Sequence, residues 1–183
     1  MSKSTNSKAF AIWLTGLPAS GKSTITAALR PQLEARGLSV EVLESDAVRQ
    51  ALTPVATYSQ QERELFYRAL AFCGSRLVDH GVTVIFDATA NRRTYRDFAR
   101  ALISDFLEVA VECPLDVCME RDRKGTYKKG MVGKSGTVPG LQEAYEPPLD
   151  PAVRIDTRQT PVQIGAERIL AELQKRRLLG VSS

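Results

Sequence analysis

The chain has 183 residues and a net charge of +4, from 25 Lys+Arg against 21 Asp+Glu. That length suits one domain with a sizeable core, and so mild a charge does not argue for a nucleic-acid partner, although it fits a pocket for anionic small molecules. No apolar run reaches the about 18–20 residues of a membrane span, and three cysteines without paired spacing (Cys73, Cys113 and Cys118) speak against a disulfide framework or a zinc site, so buried thiols in a reducing cytoplasm are expected.

Residues 1–8 read as a polar, disordered tail and 9–183 as a single domain. Phe10–Leu14 reads as a buried strand. It runs into Gly16-Leu17-Pro18-Ala19-Ser20-Gly21-Lys22-Ser23, which satisfies G-x-x-x-x-G-K-[ST] at every required position. A helix follows over 22–36, with Ile25, Ala28, Leu29 and Leu33 on its apolar stripe and Gly37 as its stop. Ser39–Leu43 reads as the second strand and 46–52 as a short helix. Ser59 is the N-cap of a longer helix to about Asp79, with Glu62 completing a capping box. His80 reads as a C-terminal cap or surface residue before Gly81. Val82–Phe86 is a β-branched third strand, followed by a basic helix over 92–103 and a fourth strand over 107–112. Pro114 opens a helix to about Arg123. Residues 124–149 change character: five glycines interrupt a lysine-rich stretch, which reads as a long mobile loop. Val153–Asp156 is the last strand, and 161–179 a closing amphipathic helix. Repeated βα units predict an α/β fold of three layers, a parallel sheet with helices on both faces, and place the glycine-rich loop at the carboxyl edge of the sheet.

The spacing of the motif has a chemical reason. Its glycines let backbone N–H groups curl around phosphate oxygens at a helix N-terminus. Lys22 is expected to bridge the β- and γ-phosphates of ATP, and the Ser23 hydroxyl to ligate Mg²⁺. Residues Gly16 to Thr24 are thus the expected nucleotide cradle. Phosphoryl transfer also needs an acceptor site and cations around the moving group. Asp46 and Arg49 lie three residues apart on one helical face, as a proton acceptor or metal group and an anion clamp, or else as a surface ion pair. Asp87 ends an apolar strand, as a Mg²⁺-holding aspartate or as a turn cap. Arg92, Arg93, Arg96 and Arg100 crowd one helix, where one or two can face an acceptor phosphate. Arg63 and Arg68 offer the same choice. Lys124, Lys128, Lys129 and Lys134 lie in the loop, which reads as a lid over the nucleotide or as a solvated basic segment.

With these residues in view the chain resembles the adenylyl-sulfate kinases, a family of P-loop kinases, from Ile12 to about Thr157. The resemblance is carried by Ile12-Trp-Leu-Thr-Gly-Leu-Pro-Ala-Ser-Gly-Lys-Ser-Thr, by Cys113-Pro-Leu-Asp-Val-Cys118, by Arg121-Asp-Arg-Lys-Gly-Thr-Tyr-Lys-Lys129, and by Ala144-Tyr-Glu-Pro-Pro-Leu149 with Ile155-Asp-Thr157. It implies transfer of the γ-phosphate of ATP, with Mg²⁺, to the 3′-hydroxyl of adenosine 5′-phosphosulfate. By position, Asp46 resembles the catalytic and metal-associated aspartate, and Arg49 and Arg63 the substrate arginines. Tyr58 falls where the family stacks a phenylalanine on adenine. Lys124 and Lys128 fall on lid positions, Arg121 on the donor side, and Thr89, Arg93 and Val138 on the acceptor side. The implied partner is the small-molecule acceptor, with a homodimer left open.

The departures gather around the acceptor. The family's Asp-Gly-Asp is Glu44-Ser45-Asp46 here; an asparagine is replaced by Phe66; Ile-Ser-Pro becomes Thr89-Ala90-Asn91; the second stacking phenylalanine is Val138; and Asp87 stands where a small uncharged residue is usual. Losing one aromatic partner weakens a purine site by about 0.5–1.5 kcal/mol. A kinase acting on another hydroxyl (a sugar, a nucleoside or a polynucleotide end) is therefore the alternative expectation, and a nucleotide-binding regulatory subunit without transfer a third.

Overall fold

Five parallel strands form one sheet in the order β2-β3-β1-β4-β5: β1 (Ala11–Thr15), β2 (Val40–Glu44), β3 (Thr83–Asp87), β4 (Phe106–Glu112) and β5 (Val153–Asp156). The computed structural model describes residues 9–133 and 137–179. The expected tail over 1–8, the lid residues Lys134 and Gly136, and the end of the domain after 179 lie outside the described residues.

Central β1 is buried throughout and alternates its side chains between two cores. Ile12 and Leu14 pack with Ile25, Leu29 and Leu33 of α1 (Lys22–Glu34) and Ile169 and Leu173 of the last helix, over Val162–Lys175. Ala11 and Trp13 face the opposite core with Phe66, Tyr67 and Leu70, from a long helix over Gln60–Asp79, and Tyr95 and Ala99, from a helix over Arg93–Leu102. Trp13 stacks on Phe86 of β3 at 4.4 Å between ring centroids and donates its indole N–H to the Ala88 carbonyl at 3.0 Å, so the aromatic is both packed and satisfied. The sheet is thus covered on both faces, as all-parallel sheets require. In chain order the remaining helices complete the set: α2 (Ser45–Leu52), α3 (Gln60–Asp79), α4 (Arg93–Leu102), α5 (Leu115–Glu120), α6 (Thr126–Met131) and α7 (Val162–Lys175).

The expected elements are all present, with shifted ends that matter for the site. β2 runs one residue further, so Glu44 closes the strand and its carboxylate then caps α2 by accepting the Ala47 N–H at 2.8 Å. β3 likewise takes in Asp87. α1 ends at Glu34, α5 at Glu120 and α7 at Lys175, each short of its expected end. The expected loop over 124–149 contains a helix, α6. Its start was hidden by Gly125, which supplies the left-handed N-cap (φ 69°), while the Asp122 carboxylate accepts the Thr126 and Tyr127 N–H groups at 2.9 and 2.7 Å. Ser59 does cap α3 by accepting the Glu62 N–H at 3.2 Å, but Glu62 does not reach back to Ser59: its carboxylate accepts the Thr57 N–H and hydroxyl, each at 2.6 Å. His80 is the C-cap of α3, and Cys73, expected to be buried, is exposed.

Candidate active site

The loop between β1 and α1 is shaped from beneath. A Cβ on Gly16 would lie 2.2 Å from the Val111 carbonyl oxygen, so only glycine lets the loop lie against the end of β4. Gly21 takes φ 102° as the N-cap of α1, which turns the chain into the helix with its N–H groups facing the cleft. Ser20 is fully buried, and its carbonyl accepts the Thr157 hydroxyl at 2.8 Å. Thr157 in turn accepts from Arg121 at 3.1 Å, and Tyr127 donates to the Pro18 carbonyl at 3.0 Å, so β5 and the lid grip the loop from both sides. Lys22 lies along the loop, its ammonium donating to the Gly16 and Leu17 carbonyls at 3.1 and 2.9 Å. Burial lowers its pKa, and the Asp87 carboxylate opposes that fall.

Asp87 faces this lysine from the end of β3. It is 4% exposed, and burial raises its pKa, against the opposing pull of Lys22 and a hydrogen bond with Ser23. An acid beside the Ser23 hydroxyl at the mouth of a parallel sheet is a hard-oxygen pair suited to Mg²⁺, which takes one or two carboxylates and completes its shell with phosphates and water. Asp46, in the first turn of α2, reaches the cleft from the other side and accepts from Lys124 at 2.7 Å. That hydrogen bond is the main reason the Lys124 pKa is raised.

The other side of the cleft is built by α2, α3 and the segment between them. Arg49, in the last turn of α2, is buried and pairs with Glu62 of α3 at 2.9 Å. Its guanidinium lies over the Phe66 ring at 3.8 Å and over the Tyr58 ring at 5.0 Å. Arg63 lies over Tyr58 at 5.4 Å, and its N–H groups reach the Tyr58 and Thr137 carbonyls, which ties the far side of the lid to α3. Tyr58 holds φ 55°, an uncommon conformation for an aromatic residue, at the rim of the cleft.

The segment after α6 meets the sheet at a hydrogen-bonded joint. Fully buried Arg96 pairs with Glu108 at 2.6 Å and donates to the Ala90 and Glu146 carbonyls. Asn91 donates its side-chain amide to the Ala144 carbonyl at 3.1 Å and accepts the Glu146 N–H at 2.8 Å on its backbone.

One cleft of about 1400 Å³ gathers most of the expected residues: Pro18, Ala19, Gly21, Lys22, Ser23 and Thr24 from the loop and the start of α1, with Arg121, Lys124, Asp46, Asp87, Arg49, Tyr58, Arg63, Thr89 and Val138. Gly16, Leu17 and Ser20 do not line it: they shape the loop from below. Arg93 is also elsewhere. Its backbone N–H binds the Glu146 carboxylate at 2.9 Å and its guanidinium the Pro147 carbonyl at 3.2 Å, on a separate surface hollow. Lys129, and not Lys128, lines the cleft, because α6 turns consecutive residues about 100° apart. Arg96, expected at an acceptor phosphate or in solvent, is a buried structural residue. Glu62, Tyr127 and Thr157 emerge as supporting residues that sequence reading gave no such role. Only the position of Glu62 four residues before Phe66 on a helix hinted that both could reach one neighbour.

The chain has clear relatives. The model of the adenylylsulphate kinase family matches residues 8–156. The adenylyl-sulfate kinase of Rippkaea orientalis is 39% identical over 164 residues, spanning 90% of this chain and 91% of the relative. That of Microcystis aeruginosa is 42% identical over 146 residues, spanning 80% and 81%. Among solved structures, the Mycobacterium tuberculosis APS kinase in complex with AMPPNP and APS aligns with a TM-score of 0.86 at 29% identity, over 91% of this chain and 98% of that one.

Proposed function

We propose that this chain, which belongs to the adenylylsulphate kinase family, transfers the γ-phosphoryl group of ATP to the 3′-hydroxyl of adenosine 5′-phosphosulfate. One observation carries the reading: a single continuous cleft joins an intact phosphate-binding loop to two arginines backed by an aromatic, with Asp46 lining it. At about 1400 Å³ it exceeds the ~300–1000 Å³ usual for one small ligand, and so has room for two nucleotides.

The donor phosphates rest on the N–H groups at the start of α1, where the helix dipole favours anions. Lys22 leaves the loop carbonyls for the β- and γ-phosphates. Arg121, held by Thr157, lines the cleft and serves the donor nucleotide. Ser23 and Asp87 are the residues that would hold Mg²⁺, and Asp46 lines the same cleft. Held there, the ion would supply positive charge to the donor phosphates. Asp46 orients the attacking hydroxyl and accepts its proton, and Lys124, its hydrogen-bond partner, neutralises charge as the phosphoryl group moves. Arg49 and Arg63 hold the phosphosulfate anion as planar forks. Tyr58 and Val138 enclose the purine, with Thr89 at the cleft floor. With Arg93 and Lys128 outside the cleft, neither is assigned an acceptor contact. No helix among the described residues is long and apolar enough to cross a membrane; we place the activity in the cytoplasm because ATP is the donor.

The test follows ADP release with adenosine 5′-phosphosulfate as acceptor and identifies the product. Turnover at micromolar acceptor with the phosphate on the 3′ position supports the reading. Folded enzyme that ignores this acceptor, but releases ADP with a sugar, a nucleoside or a polynucleotide end, would overturn it in favour of another hydroxyl. Phe66 and Asp87, both unlike the family pattern, are the observations that motivate that second arm.

A further inference from the structure

Phe66 does not line the cleft, whereas Arg49, which lies on it, does. The ring is 2% exposed and fixed on α3, edge-on to Tyr67 at 5.2 Å. Arg49 is a buried cation, its side chain 8% exposed, and a charge in such a place needs compensation from its neighbours. Three groups supply it: the Glu62 carboxylate at 2.9 Å, the Phe66 face at 3.8 Å and the Tyr58 face at 5.0 Å. Glu62 is itself immobilised by the Thr57 N–H and hydroxyl. A guanidinium donates only in its own plane. A ring under the Arg49 guanidinium therefore offers it no competing acceptor. Glu62 binds one N–H group, and Arg49 itself lines the cleft.

We propose that Phe66 is a positioning residue for the acceptor: by carrying Arg49 on its face and leaving the in-plane donors unspent, it sets how firmly this chain grips an anionic acceptor. The inference rests on the reading of the cleft given above. An amide at this position, which the family resemblance led one to expect, would contact polar partners directly. A phenylalanine acts only through Arg49. Of the two cleft arginines, Arg49 is thereby the one whose direction depends on a hydrocarbon ring.

The test compares F66L, F66Y and R49K, with F66L/R49K, by steady-state kinetics against adenosine 5′-phosphosulfate and ATP. F66L is expected to raise KM for the acceptor about ten-fold, leaving KM for ATP and kcat within about two-fold, and F66Y, which keeps the ring, to restore the wild-type KM. R49K keeps the charge but loses the flat stack, so adding F66L to it should cost little more. An unchanged acceptor KM in F66L, an equal rise in both KM values, or multiplying effects in the double variant would each overturn the proposal. If the wild-type chain does not use this acceptor, the functional reading fails on its own, and the Phe66–Arg49 coupling is read instead from urea unfolding of the same four variants: non-additive midpoints support it and additive midpoints overturn it. Should F66L not fold, F66Y against F66M gives the same contrast of ring with no ring.

Discussion

Glu44 and Asp87 stand opposite one another where β2 pairs with β3, yet their carboxylates have different work. Glu44 is committed to the α2 N-terminus through the Ala47 N–H, while Asp87 stays buried beside Lys22 and Ser23. Two acids at the mouth of adjacent strands repel, and that proximity adds to the burial that raises the Asp87 pKa.

The acid limb of kcat/KM for ATP should therefore lie above the ordinary aspartate range, because the Mg²⁺ role proposed for Asp87 needs an ionised carboxylate. Raising Mg²⁺ should move that limb to lower pH, and D87N should abolish this dependence and lower kcat/KM by about 10²-fold, equivalent to about 2.7 kcal/mol. In the unliganded protein the sign for stability is the reverse of a salt-bridged acid: the folded pKa is raised, so the contribution is full below the ordinary value and lost as pH rises through the folded one. pH profiles at two Mg²⁺ concentrations, with unfolding midpoints over the same range, check both halves.

D46A should lower kcat by about 10²- to 10⁴-fold, with KM for ATP changing only a few-fold, since the carboxylate is proposed to serve the acceptor hydroxyl. K124A should reduce kcat as well. Both side chains of the pair are about two-thirds exposed, so breaking it should cost under about 1 kcal/mol of stability. A large loss of stability in K124A with normal kcat would make the contact structural only.

Glu62 holds the opposite linkage. Hydrogen bonding to Thr57, ahead of the Arg49 charge, depresses its pKa. Its contribution is present above the ordinary carboxylate value and disappears as pH falls through the depressed one. E62Q should weaken the acceptor KM several-fold and lower stability by about 1–3 kcal/mol near neutral pH, a cost that shrinks in acid. Urea midpoints at neutral and acid pH measure it.

A Cβ at Gly74 would lie 2.2 Å from Phe86 Cζ, where α3 lies against β3. G74A should destabilise by about 1–3 kcal/mol through overpacking. Adding F86L should recover part of the loss, while activity well below the unfolding temperature stays near wild type.

The strands, the two helix layers and the donor half of the cleft were legible because each has a local signature: a β-branched run, an apolar stripe, or a glycine spacing dictated by phosphate. Asp46, Arg49 and Asp87 were found because the ends of parallel strands converge at one edge. What stayed hidden depends on pairing across the fold. Nothing local shows that Arg96 is a buried tie between β4 and the lid exit, that Glu62 turns from Ser59 to Thr57 and Arg49, or that α6 interrupts the lysine-rich lid. Gly125 reads as a helix breaker until its left-handed cap is seen, and Arg93 reads as an anion ligand until the Glu146 contacts withdraw it from the cleft.

Arg49, Tyr58, Glu62, Arg63 and Phe66 all fall between Glu44 and Tyr67, one unbroken stretch that leaves the sheet at β2 and returns to it through α3. The loop that holds the donor and the Arg96 joint of the lid are encoded outside it. That stretch does not stand alone, since Thr89 and Val138 line the same cleft from outside it, Arg63 is tied to the Thr137 carbonyl, and Asp46 within it is bound to Lys124: a graft of these residues from a relative would carry both arginines but would keep their pose only if the 137–138 segment came with them.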